Sequence, residues 1–94
     1  SGGMLQTLGI YVSLLKLNIP DIKIAGTGTI KSDGSIGRIG GIRQKIYTAD
    51  FNNVDVFFIP ESHLSEISDM SYSFVLVPVE TIEEAAMWLY EAYN

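Results

Sequence analysis

The side chains best suited to nucleophilic chemistry in this sequence are Ser1, Thr27 and Lys45. A serine hydroxyl attacks a carbonyl once a neighbouring base takes its proton. A lysine serves as that base when burial favours its neutral form. Ser-Lys pairs are a known variant of the serine hydrolase arrangement. Ser1 stands directly before an apolar stretch that reads as a helix. The amides of Gly2 and Gly3 would then be free to hold an oxyanion, and the helix dipole favours negative charge there. By spacing alone any serine can be paired with any lysine, so position in the fold must decide.

The other polar side chains read as structural. His63 has no acid or nucleophile at a suggestive spacing and is expected to be a surface or cap residue. Glu61, Glu66, Glu83 and Glu84 read as a solvated helix face, and Asp21, Asp33 and Asp50 as turn and cap residues. Tyr11, Trp88, Tyr90 and Tyr93 read as packing.

The elements that must position these residues centre on positions 24–45. Ile22, Ile24 and Ile30 predict a strand, Asp33-Gly34 a tight hairpin turn, and Ile36 to Ile39 a returning strand. Gly40-Gly41 then breaks the strand and opens a helix carrying Ile42, Lys45, Ile46 and Ala49, which runs to about Asp50. Gly26, Gly28, Gly37, Gly40 and Gly41 crowd this span and imply tight turns or close backbone approach. A phosphate-binding loop is excluded, because the lysine follows the glycines at the wrong spacing and precedes Ile46.

Upstream, Met4 to Leu17 predicts an apolar helix with only a narrow polar stripe of Gln6, Ser13 and Lys16, hence one buried on most sides. Asn18 and Pro20 end it. Downstream, residues 54–60 predict a strand closed by Pro60, residues 61–67 a short helix or turn, and residues 74–77 a nearly all-apolar strand expected to be central. Thr81 and Glu84 form a capping box before a last helix over 82–93 that buries Ile82, Ala85, Ala86 and Leu89. Strands alternating with helices predict an α/β fold: a small sheet with right-handed crossovers and a β-hairpin, all in one domain over 1–94.

Composition sets limits. The chain has 94 residues, net charge −5 and no cysteine. No basic run is present, which argues against nucleic acid as a partner. Disulfides and thiolate chemistry are excluded. A single histidine cannot build a metal site by itself, and neither a spanning apolar run nor a signal peptide is visible. The mean hydropathy of +0.23 is high for so short a chain. It fits a compact α/β unit or one that buries a face against further sequence.

The chain resembles the C-terminal half of a Lon-type protease domain over nearly its whole length. Ser1-Gly2-Gly3-Met4 stands where the family has its nucleophilic serine at the start of a long apolar helix. Thr27-Gly28, the hairpin, Gly40-Gly41-Ile42-Arg43-Gln44-Lys45, Ile59-Pro60 and Pro78-Val79 follow in the family's order. The stretch Gly26 to Ile30, Asp33-Gly34 and the Gly-Gly-Ile-x-Gln-Lys wording are most similar to the Lon-like proteases that carry a PDZ domain and a membrane anchor. The resemblance implies the Lon protease-domain (ribosomal protein S5 domain 2-like) fold. It also implies Ser1 as nucleophile, Lys45 as general base, Thr27 as a hydrogen-bonding neighbour of that lysine and the Gly2 amide at the oxyanion. Arg43 and Gln44 fall in variable positions of the motif.

The expected activity is a serine endopeptidase hydrolysing polypeptide substrates, with no cofactor and no metal. No nucleotide-binding motif is present, so ATP dependence would come only from another domain. The resemblance further implies a homo-oligomer for the full protein, and a membrane association, on the extracytoplasmic side, through a region outside this chain; a cytoplasmic location is the alternative. The family's domain has further strands before the serine that this chain does not carry. Three origins are open: an incomplete piece, a product of cleavage before Ser1, or an added Ser-Gly-Gly whose match is accidental. In a true N-terminal Ser1 the α-amine would be a second candidate base. Without the upstream strands, part of the sheet edge and of the substrate groove is expected to be missing, and the fragment alone to be inactive. Two further readings stand beside the peptidase: a non-catalytic binding or assembly domain that keeps the fold, and a small α/β domain of unrelated function.

Overall fold

A computed structural model describes residues 2–93. In chain order the elements are helix α1 (Gly2–Leu14), strands β1 (Ile24–Gly26), β2 (Thr29–Ile30) and β3 (Ile36–Gly37), helix α2 (Ile42–Phe51), strand β4 (Val56–Pro60), a 3-10 helix (Glu61–Ile67), strand β5 (Val75–Val79) and helix α3 (Ile82–Tyr93). β1, β4 and β5 form a parallel sheet in the order β1-β4-β5. Gly26 lies beside Phe58, and Phe58 beside Val77. β2 and β3 form a separate antiparallel ribbon in which Ile30 faces Ile36.

The central strand is β4, with all five residues buried. Successive residues point to opposite faces, so β4 feeds two cores. Val56 and Phe58 join Met4 and Leu8 of α1 and Ile82, Ala85, Ala86 and Leu89 of α3. Phe57 and Ile59 join Ile42, Ile46 and Ala49 of α2, with Ile67 and Phe74. Trp88 closes edge-on against Phe58 at 5.8 Å, and Phe57 stacks on Phe74 at 5.4 Å. The result is a three-layer α/β unit, as alternating strands and helices demand. α3 begins as its capping box requires. The Glu84 N–H donates to Thr81 Oγ1 at 3.2 Å, and the Thr81 N–H donates to Glu84 Oε1 at 3.0 Å.

Several expectations are corrected. The strand through Ile22 to Ile30 is two strands, because Thr27-Gly28 breaks it. Gly28 has φ +153°, and a Cβ there would lie 2.5 Å from the Ile36 side chain. The ribbon closes through Ser32-Asp33-Gly34: the Gly34 N–H donates to the Lys31 carbonyl, Gly34 has φ +88°, and Asp33 Oδ1 accepts from the Ser35 amide and hydroxyl. This is the three-residue hairpin form rather than the two-residue one. β5 is an edge strand of this sheet, and Val75 is half exposed. Its apolar run is used by α3 packing over one face instead.

α1 is not buried on most sides. Met4 and Leu8 are its fully buried residues, whereas Leu5, Ile10 and Leu14 are exposed. The helix meets the sheet and α3 along one side only, so its apolar circumference exceeds what those elements cover. It ends earlier than expected, with Lys16 in the left-handed region.

Candidate active site

Two of the residues singled out above, Thr27 and Lys45, are described; Thr27 lies at the C-terminal end of the parallel strands and Lys45 near the start of α2. β1 ends at Gly26, and Met4 of α1 fills the space where a Gly26 side chain would stand, its sulfur 3.0 Å from that Cβ position. The start of α1 therefore sits against the end of β1. Gly2 opens α1, so its N–H belongs to the first turn, whose amides have no intrahelical acceptor. Ser1, the candidate nucleophile, lies outside the described residues.

Thr27 follows β1 at this edge. Its backbone N–H donates to the Phe58 carbonyl at 3.1 Å. Its side chain is 1% exposed, and its hydroxyl is buried with no hydrogen-bond partner among the described residues. Buried hydroxyls are nearly always paired, because desolvation without a bond costs about 1–3 kcal/mol.

Lys45 lies in the first turns of α2, which packs on the other face of the sheet from α1. The hairpin leads from Thr27 into Gly40-Gly41, and α2 starts there. Gly41 caps the helix with φ +69°, a left-handed geometry that a glycine takes without cost. The Lys45 N–H closes the first turn on the Gly41 carbonyl at 3.1 Å. Ile42 and Ile46 anchor the helix in the core, which leaves Lys45 between them, half-buried. No acidic side chain pairs with its ammonium group among the described residues.

Sequence reasoning missed the group that holds this turn. His63 is buried at 1% exposure, not on the surface. Its Nε2 accepts the Ile39 N–H at 3.0 Å, and its Nδ1 lies 2.8 Å from Glu66 Oε1. An acceptor at Nε2 places the proton on Nδ1, so the network assigns the neutral tautomer. Glu66 is exposed, as a residue of a solvated face should be, and it is nonetheless held by partners. It also pairs with Arg38, which donates to the Ser62 carbonyl. Hydrogen bonds from His63 and then Arg38 hold the Glu66 carboxyl below its ordinary value. Arg43 in turn donates to the Glu66 carbonyl and makes a bidentate pair with Asp69. The three-residue spacing of His63 and Glu66 on one helical turn was the available signal.

A model of the Lon protease (S16) C-terminal proteolytic domain matches residues 1–89. The chain belongs to this family. The Lon protease of Metamycoplasma arthritidis (strain 158L3-1) is 31% identical over 98 residues, covering all of this chain and 12% of that protein. The Lon protease of Methanosphaera stadtmanae (strain ATCC 43021 / DSM 3091 / JCM 11832 / MCB-3) is 29% identical over 91 residues, covering 92% of this chain and 11% of that protein. The chain thus spans about one eighth of the length of these relatives. The α/β sheet with its helices agrees with a Lon proteolytic-domain fold, and the family is one of hydrolases acting as serine proteases.

Proposed function

We propose that this chain carries the nucleophile and base of a serine endopeptidase that cuts polypeptide substrates. The observation that carries the reading is the buried Thr27 hydroxyl, which has no hydrogen-bond partner among the described residues, on the turn that leads through the hairpin to the half-buried Lys45. The family match begins at residue 1 and so includes Ser1.

Neutral Lys45 takes the proton of the Ser1 hydroxyl as Oγ bonds to the scissile carbonyl carbon. The oxyanion that forms is held by amides at the start of α1, that of Gly2 included, where the helix dipole favours it. The C–N bond then breaks, and Lys45 returns its proton to the leaving amine. Water attacks the acyl-enzyme, losing a proton to Lys45; the acyl C–O bond to Ser1 then breaks and Lys45 returns that proton to the Ser1 Oγ, freeing the acid product and restoring neutral Lys45. The Thr27 hydroxyl, unpaired among the described residues, is the group we assign to orienting the lysine once substrate is bound.

The Gly26 to Ile30 and Gly40 to Lys45 wording supports a place among the membrane-anchored Lon-like proteases with a PDZ domain, working without ATP in a homo-oligomer on the extracytoplasmic side. No described helix is long and apolar enough to cross a membrane, so such an anchor would belong to another region. One observation favours a non-catalytic assembly role instead: the uncovered apolar side of α1, with Ile10 and Leu14 exposed.

The test is labelling of the full-length protein with a fluorophosphonate probe, read by peptide mass spectrometry. An adduct on Ser1 that disappears in Lys45→Ala is expected. A folded full-length protein that takes no label on Ser1 overturns the dyad and leaves the assembly role.

A further inference from the structure

The two glycines of the turn that delivers Lys45 are not themselves packed. A side-chain carbon added at Gly40 or Gly41 would meet nothing within 4 Å. Beside the core packing of Ile39 and Ile42, hydrogen bonds hold both flanks, all from one element. Arg38 and Ile39, before the glycines, bond to Glu66, Ser62 and His63. Arg43, after them, bonds to Asp69 and the Glu66 carbonyl. All these partners lie on the 3-10 helix or just beyond it.

The arginine links are exposed, with about half of each arginine side chain accessible, and exposed pairs of this kind contribute little. The Ile39–His63 bond is different. Its acceptor sits in a side chain that is 1% exposed, where losing a partner carries the full cost of an unpaired buried group.

We propose that His63 is a positioning residue for Lys45: by accepting the Ile39 amide it locks the Gly40-Gly41 turn and sets where α2 begins. This rests on the dyad reading. The lock works only with Nε2 unprotonated, since a second N–H there would face the Ile39 N–H. The charged groups around it are Glu66 of its own helix, Arg38 from the segment after β3, and Arg43 of α2 with its partner Asp69. Glu80 at the end of β5 pairs with Glu61 at the start of the 3-10 helix. Arg38 is bound to Glu66 directly, so its charge is already compensated.

The experiment uses the full-length protein, turnover of a fluorescently labelled unfolded polypeptide, and amide hydrogen exchange. His63→Leu fills the volume without an acceptor, and kcat is expected to fall roughly 10- to 100-fold with KM little changed, because small misplacements of a catalytic group cost that much. His63→Gln, whose Oε1 can replace Nε2, should stay within about threefold of wild type. Exchange at Ile39 should quicken in His63→Leu while Phe58 stays protected. Wild-type kcat in folded His63→Leu overturns the proposal, as does an activity loss that merely follows the unfolded fraction. An Ile39 amide in the wild type that exchanges as fast as those of Gly40 and Gly41 overturns it with no variant needed. Lys45→Ala separates the two readings: turnover surviving that change refutes the dyad, while the exchange data still decide whether His63 holds the turn.

Discussion

Glu61 and Glu80 bring two carboxylates together at the end of β4 and β5. A side-chain hydrogen bond that the protonated Glu61 carboxyl donates to Glu80, and then the charge of Glu80, raise the Glu61 carboxyl above its ordinary value. A group raised in this way favours the folded state below its ordinary value and loses that contribution as pH rises through the folded one. At neutral pH the pair is therefore repulsive. Glu80→Gln is expected to raise Tm at pH 7, with the difference closing in acid below the carboxylate range. Thermal melts at the two pH values check both the gain and its disappearance. Asp50 has the opposite sign. Hydrogen bonds from the Ser73 amide and hydroxyl lower its carboxyl, so its contribution is present at neutral pH and is lost as pH falls. Asp50, read from sequence as a turn or cap residue, thus binds a segment 23 residues away. Residues that act within their own turn were readable: Thr81 with Glu84, and Asp33 in the hairpin turn. His63 was not, because its partner Ile39 is a backbone amide 24 residues away and leaves no trace in local spacing.

At the scale of elements, the helix boundaries of α2 and α3 and the buried face of α3 followed from period and caps. What did not follow was the split of the glycine-rich strand into β1 and β2, since the separation depends on a tertiary contact of Gly28 with Ile36 and Pro60. That contact makes a prediction. Gly28→Ala meets both a backbone conformation that side chains rarely adopt and a carbon 2.5 Å away, and is expected to cost at least about 2 kcal/mol. Gly40→Ala, in open space, should stay within about 0.5 kcal/mol. Urea unfolding of the two variants beside wild type gives the comparison. Equal effects would mean that the break at Thr27-Gly28 is not set by this contact. The same break releases Thr27 from the strand ladder of β2 and turns its hydroxyl into the interior. The position of the candidate site and the break in the strand thus have one cause.

For the whole molecule, the sheet is sealed on both faces, yet the outer layer is uneven. α2 and α3 present mixed outer surfaces, whereas α1 keeps an apolar side in the open, with Leu14 at 76% and Leu15 at 59% exposure. The same apolar circumference led the sequence to predict burial on most sides, which the structure does not bear out, because apolar composition all round a helix does not say how many of its sides meet other elements. Each exposed leucine side chain forgoes roughly 1.5–3 kcal/mol of burial, so the surface favours association when concentration permits. The 94-residue chain is expected to self-associate at micromolar to millimolar concentrations. Leu14→Gln with Leu15→Gln should reduce that association and leave the melting transition nearly unchanged, because neither side chain belongs to the core. Light scattering coupled to size exclusion measures the first effect, and far-ultraviolet circular dichroism the second. A double variant that associates as wild type does would show that α1 is not the adhesive surface. One that unfolds would show that these leucines support the fold, against their exposure. If association falls and the fold survives, the bare side of α1 is an interface in its own right, separate from the turn after β1 that carries Thr27.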